Sequence, residues 1–166
     1  ADQLVDWIPL RKGKNHNAII LRSILSLTSR SQKVDFRRCF EEASRHLPNH
    51  AVVFLYSDFC DYYHLEECLS FSHKYDLVPI WVEDPWDYEI PKLGLIPMRD
   101  PESPEHVNAL QSFNTKAVAA FLENKKVHRE KIKELFRRRK LNPIRVVAGE
   151  DFIKPLTDYF RRRRPR

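Results

Sequence analysis

From Asn17 to Thr28 almost every position is apolar (Ala18, Ile19, Ile20, Leu21, Ile24, Leu25, Leu27), with too few polar breaks to leave a one-sided stripe. A helix apolar on nearly all sides is normally covered on both, so this segment is predicted to be an interior helix. The next segment has a cleaner amphipathic pattern: Phe36, Cys39, Phe40, Ala43 and Leu47 recur at helical spacing until Pro48-Asn49 stops the helix. The pattern then changes. Ala51 to Tyr56 is a short, continuous apolar run rich in β-formers, as expected of a buried strand in a parallel sheet. It closes in Ser57-Asp58-Phe59-Cys60-Asp61, where Asp61 can cap a helix running to Tyr75 with Leu65, Cys68, Leu69 and Phe71 or Ser72 inward. Leu77 to Val82 is the second strand, ending in Glu83-Asp84-Pro85. Pro79 cannot donate to a ladder, so its presence predicts an edge strand or a local break.

Residues 84 to 114 hold Pro85, Pro91, Pro97, Pro101 and Pro104. A connection that long is functional or contains short strands of its own, and Leu93 to Met98 can pair with Val107 to Leu110 as a hairpin. Thr115 is then placed to cap a long helix to about Lys140, with Val118, Phe121, Leu122, Ile132, Leu135 and Phe136 toward the core. Asn142-Pro143 ends it, Ile144 to Ala148 is a third strand, and Phe152 to Phe160 is a last helix with Pro155 near its start. At the other end, Gln3 to Leu10 reads as the end of a strand before the turn Arg11 to Lys14. Alternating helices and strands define an α/β fold with mostly parallel strands, and no repeat or linker divides it.

Composition narrows the function classes. The 166 residues fit one domain, and no apolar run reaches the roughly 20 residues of a spanning helix. No signal-peptide pattern opens the chain. Cys39, Cys60 and Cys68 are the three cysteines, with no CxxC pair, which argues against a disulfide scaffold and for a reducing compartment. Gly13, Gly94 and Gly149 are the three glycines, and no phosphate-cradling loop can be written from them. The net charge of +6 divides into −5 up to Thr115 and +11 from Lys116 onward. A protein so divided does not invite the simple inference that basic means nucleic-acid binding.

Candidate chemistry gathers at two predicted strand ends. Asp58, Asp61, Asp84 and Asp87 follow the first and second strands, and that edge is where open α/β sheets bind ligands. Clustered carboxylates there could hold divalent metal for phosphodiester hydrolysis; equally, Asp61 and Asp84 suit helix or turn caps and Asp87 a solvated position. Cys60, His64 and Cys68 suggest zinc, but no fourth ligand or usual zinc spacing accompanies them, and Cys68 suits a small buried hydrophobe. Ser57 has no nucleophile elbow and no identifiable partner histidine. Arg137 to Lys140 and Arg161 to Arg164 close two predicted helices, where positive charge offsets the helix dipole. The same residues could attract anionic lipid or nucleic acid, though aromatics do not interleave with them as a single-strand platform requires.

Several stretches together resemble the bacterial domain-of-unknown-function family 58, whose members carry a domain related to the von Willebrand factor type A fold. They are Pro9-Leu10-Arg11-Lys12-Gly13-Lys14-Asn15-His16, Ser57-Asp58-Phe59, Asp84-Pro85 with Ile90-Pro91-Lys92-Leu93-Gly94-Leu95, and Glu150-Asp151-Phe152 through Phe160-Arg161-Arg162. The resemblance implies a Rossmann-like α/β sandwich, cytoplasmic and often tethered to a membrane by helices elsewhere in the full protein. It also implies a MoxR-type AAA+ ATPase as partner, with the domain serving as an adaptor in complex assembly or metal insertion. In the related fold Mg²⁺ is held by an Asp-x-Ser-x-Ser strand end, a later Thr and a later Asp. This chain has no Asp-x-Ser-x-Ser, and Val34, followed by Asp35, stands where the Thr would align. Asp58 alone keeps the expected residue type, so the resemblance implies an incomplete metal site at Asp58. It further implies that residues 1–166 are the C-terminal portion of such a domain, lacking its first strands, with a basic tail at 161–166. The expected function is a non-enzymatic interaction domain with Asp58, Asp61 and Asp84 as partner contacts. The alternatives are a metal-dependent nuclease or phosphohydrolase using the four aspartates, and a nucleic-acid or membrane-surface binder using the basic half.

Overall fold

The computed structural model describes residues 8–9, 11–26, 36–60, 65–100 and 103–162, without the side chains at 36, 67, 68, 99, 100 and 103–107. The predicted N-terminal strand end and Val34, Asp35, Asp61 and His64 therefore lie outside the described residues. The main sheet has three parallel strands, β1 (Val52–Ser57), β2 (Asp76–Glu83) and β5 (Ile144–Val147), in the order β1-β2-β5. A separate antiparallel hairpin pairs β3 (Leu95–Asp100) with β4 (Ser103–Gln111), as the proline-rich stretch predicted. The helices are α1 (Lys14–Ser26), α2 (Phe36–Ser44), α3 (Leu65–Ser70), α4 (Thr115–Arg138) and α5 (Ile153–Arg162). The fold is mixed α/β and Rossmann-like.

Side chains alternate across a strand, and the central β2 is buried on both faces. Leu77 and Trp81 join Phe40 of α2, Leu65 and Leu69 of α3, and Ile132 and Phe136 of α4 in one core. Val78 and Ile80 join Ile144 on the other face, against Leu156 and Tyr159 of α5. Helices thus cover both faces, which is what shields a parallel sheet. The prediction for β1 is only half right. Val53 and Leu55 pack against the first core, but Val52, Phe54 and Tyr56 are exposed. On that face Phe54 of β1 meets Phe160 of α5 at 6.0 Å.

Pro79 does not mark an edge strand, since β2 lies in the middle of the sheet. It marks a local gap in the ladder. The Asp76 amide donates to the Ala51 carbonyl, toward β1, and alternation turns the nitrogens of residues 77, 79, 81 and 83 to the opposite side. Pairing with β5 begins only at Ile80, so the amide that Pro79 lacks faces a point the β5 ladder has not reached.

Other boundaries move for similar local reasons. The helix at Asn17 to Thr28 forms as α1, but Ile19, Leu21, Ile24 and Leu25 are exposed. No residue of α1 is buried, so the expectation of an interior helix is corrected. Asn114, not Thr115, caps α4: its side-chain oxygen accepts from the Ala117 amide at 3.1 Å. Asp151 accepts from the Ile153 amide at 2.9 Å. Pro155 then falls in the first turn of α5, where an amide has no helical partner to lose. No helix among the described residues is long and apolar enough to cross a membrane.

Candidate functional site

Neighbouring parallel strands β1 and β2 deliver their C-terminal ends side by side. After β1 the chain turns sharply. The Ser57 hydroxyl oxygen accepts from the Phe59 amide at 3.0 Å and Asp58 Oδ1 accepts from the Cys60 amide at 3.1 Å. Ser57 is therefore a turn-forming residue here. Between these two bonds Phe59 takes φ = 53°, a left-handed conformation costly for a non-glycine residue. That reversal sends the Phe59 ring into the core, fully buried, edge-on to Phe136 at 5.2 Å and to Trp81 at 6.3 Å. It leaves the Asp58 carboxylate outside. After β2, Asp84 Oδ1 accepts from the Trp86 amide at 2.8 Å and caps the short turn Pro85–Asp87.

The remaining parts come from the basic half. On α4, Lys125, His128, Arg129, Ile132 and Phe136 lie at helical spacing on one stripe. Its apolar end packs on the sheet and its polar end reaches the carboxyl edge. Lys125 Nζ is 2.8 Å from Asp87 Oδ1, and Arg129 Nη1 donates to the Asp87 carbonyl at 2.7 Å. His128 Nε2 lies 3.1 Å from the Phe59 carbonyl oxygen, which can only accept, so that nitrogen carries hydrogen. Arg129 also stacks on the Tyr88 ring, 4.2 Å from its centroid.

A second set of charges lies one strand over. Glu83, at the end of β2, has its side chain 1% exposed and receives Arg145 Nε on Oε2 at 2.6 Å. The Tyr88 hydroxyl donates to Glu83 Oε1 and accepts from Arg145 Nη2 at 2.7 Å. Arg145 faces Trp81 in the β2–β5 register, two positions before Glu83, so the two meet diagonally on one face of the sheet. Burial, the bond to Glu83 and its charge push the Tyr88 hydroxyl above its usual range. It therefore stays a donor.

These charges suppress reactivity at Cys60. Cys60 is exposed as a residue, but partial burial of its thiol, then the charge of Asp58 and a hydrogen bond to it, push it up to about 12 against the opposing pull of Lys125. Burial works against the Lys125 ammonium, but the bond to Asp87 and its charge outweigh this and hold its pKa above the ordinary lysine range. Since the thiolate is the reactive form and far less of it exists at pH 8 than for an ordinary cysteine, Cys60, exposed as a residue, is expected to alkylate at least about tenfold more slowly. Asp58→Asn should speed it by about tenfold. Iodoacetamide labelling followed by peptide mass spectrometry distinguishes Cys60 from Cys39 and Cys68. A Cys60 rate equal to that of a free cysteine peptide would contradict the geometry.

Of the predicted site residues, the fold brings Asp58 and Asp87 around Cys60 and Lys125, while Asp84 is engaged in its own turn. Zinc finds no support in the described geometry around Cys60. Among the described residues no group of three His, Cys, Asp or Glu could hold a metal ion. The fit to Mg²⁺, which requires near-octahedral oxygen ligation, fails on the donors described: an ammonium stands against Asp87 and only Asp58 remains at the first strand end. Sequence reasoning did not single out Glu83, Tyr88, Lys125, His128, Arg129 or Arg145. The usable signal was the α4 stripe, where Lys125, His128 and Arg129 continue the spacing of Ile132 and Phe136. Arg137 and Arg138 behave as expected of a helix end, both paired with Glu134.

The architecture and this edge define an α/β domain that presents fixed carboxylates where parallel strands end. The chain belongs to the family described as protein of unknown function DUF58, whose family model matches residues 1–131. The matched span ends within α4, so the resemblance at Glu150 to Arg162 lies beyond it. No curated protein and no solved structure matches the chain.

Proposed function

We propose that this chain is a non-enzymatic, von Willebrand A-like interaction domain that acts in the cytoplasm with a MoxR-type AAA+ ATPase, as an adaptor in complex assembly or metal insertion. The observation that carries this reading is the exposed Asp58 carboxylate, fixed by the Cys60 amide beside a Lys125–Asp87 ion pair. Its neighbours are held in unreactive states: a thiol kept protonated, an ammonium kept charged and a serine engaged in a turn. Such an edge suits presenting charge to a partner more than breaking bonds. Asp58, Asp84 and Asp61 are the proposed contacts. Family membership supports the reading, and so does a Rossmann-like sheet whose ligand edge is built from these turns.

Full chain bearing an affinity tag should retain a MoxR-type ATPase encoded beside its gene, and Asp58→Lys should reduce the retained ATPase at least about tenfold, since a reversed charge at a contact costs affinity. An ATPase that never associates, or associates equally with the variant, overturns the proposal. Labelled DNA and RNA incubated with Mg²⁺ or Mn²⁺ should stay intact. Cleavage that disappears in Asp58→Ala would replace the adaptor reading with the hydrolase.

A further inference from the structure

Beside the Glu83–Tyr88–Arg145 group lies a cavity of about 600 Å³, away from Asp58 and Cys60. Pro85, Trp86, Tyr88 and Pro91 line it from the stretch after β2, and Val147 and Pro155 from β5 and α5. Trp86 and Tyr88 are each 41% exposed. Tyr88 already has Arg129 on its ring and Arg145 at its hydroxyl. Trp86 makes no aromatic or cation contact among the described residues, so its indole face is available.

Charge decides what this surface can accept. Glu89, Glu150 and Asp151 also border the cavity, and all three are exposed. Among the described residues that line it the one cation is Arg145, and it is engaged by the buried Glu83. The cavity therefore offers a flat aromatic surface with a surplus of negative charge, which repels phosphate and attracts cations. A guanidinium suits it better than an ammonium, because it stacks on an aromatic face while its N–H fork bonds carboxylates. The protein uses the same recognition internally: Arg129 stacks on Tyr88 at 4.2 Å while donating to a carbonyl of the same turn. Proline and aromatic walls also match a stiff, extended backbone, the conformation of proline-containing peptides.

We propose that this cavity docks an arginine-bearing extended segment of a partner protein, with the guanidinium on Trp86 and its charge met by Glu89 and Glu150. The inference does not rest on the ATPase reading and survives its failure.

The test is a fluorescence-anisotropy titration of the full chain with a labelled peptide alternating proline and arginine, beside the same peptide with citrulline for arginine. Citrulline keeps the shape and removes the charge. Binding is expected to weaken about tenfold with citrulline and about tenfold in Trp86→Ala, and to weaken with added salt. Trp86 is half exposed, so this variant should keep the wild-type circular dichroism; Glu150→Lys provides a second variant outside the core and should also weaken binding. No binding at millimolar peptide, equal binding of the citrulline form, or binding indifferent to both variants overturns the proposal.

Discussion

Phe59→Ala should lower the free energy of unfolding by about 3–5 kcal/mol, the range for deleting a fully buried aromatic ring. The ring is 0% exposed and touches Trp81 of β2 and Phe136 of α4, so its loss opens a cavity where the sheet and the helix meet. Urea denaturation followed by circular dichroism measures the change, and a loss under about 1 kcal/mol would mean that the site collapses or that the ring is not anchored there. Glycine provides a sharper test of the backbone. At most positions Gly is worse than Ala by about 0.5–1 kcal/mol, because it loses more freedom on folding. Phe59 sits at φ = 53°, where a Cβ costs about 1–2 kcal/mol. Phe59→Gly is therefore expected to equal or exceed Phe59→Ala in stability, reversing the usual order. Both variants should also speed alkylation of Cys60, because the turn that holds the Asp58 carboxylate beside it is anchored by Phe59.

Arg145→Met should be the most damaging change near the surface, at about 2–4 kcal/mol. Glu83 is left with its side chain 1% exposed and, among the described residues, only Tyr88 as a donor, and removing one partner of a buried ion pair leaves an uncompensated charge. The estimate sits below the full cost of breaking a buried pair because Arg145 itself is 51% exposed, so water can replace part of what it supplied. Adding Glu83→Gln to Arg145→Met is expected to recover more than half of the loss. The glutamine is neutral, and its carbonyl can still accept the Tyr88 hydroxyl. If the double variant is no better than Arg145→Met alone, the loss came from packing of the arginine stem and not from its charge. The same variants probe the cavity next door, since Arg145 holds Tyr88 in its wall.

Much of this architecture was legible along the chain. The runs at Ala51 to Tyr56, Leu77 to Val82 and Ile144 to Ala148 became the three parallel strands, because short runs rich in apolar β-formers are best satisfied inside a sheet. Proline placement likewise located the hairpin between Gly94 and Asn114. The misreadings share one origin. Apolar character predicts that a surface wants cover, but not that another element is there to provide it. Hence α1 and one face of β1 are exposed despite interior-type sequences, and Pro79 sits in the central strand because the neighbouring ladder starts one residue later.

The candidate site divides in the same way. Asp58, Asp84 and Asp87 could be named from sequence because strand ends and turn formers are local features, and the split of charge between −5 and +11 halves was countable. What the sequence could not convey is that the two halves meet. Lys125 and Arg129 lie 42 or fewer positions from Asp87 along the chain, and Arg145 is 62 positions from Glu83. Only the packing of α4 against the sheet and the register of β5 against β2 bring them within hydrogen-bond distance. Local chemistry determined the elements, the turns and the acidic strand ends. The tertiary structure alone decided which cation neutralises which carboxylate, because electrostatic energy depends on distance in space and not on distance along the chain.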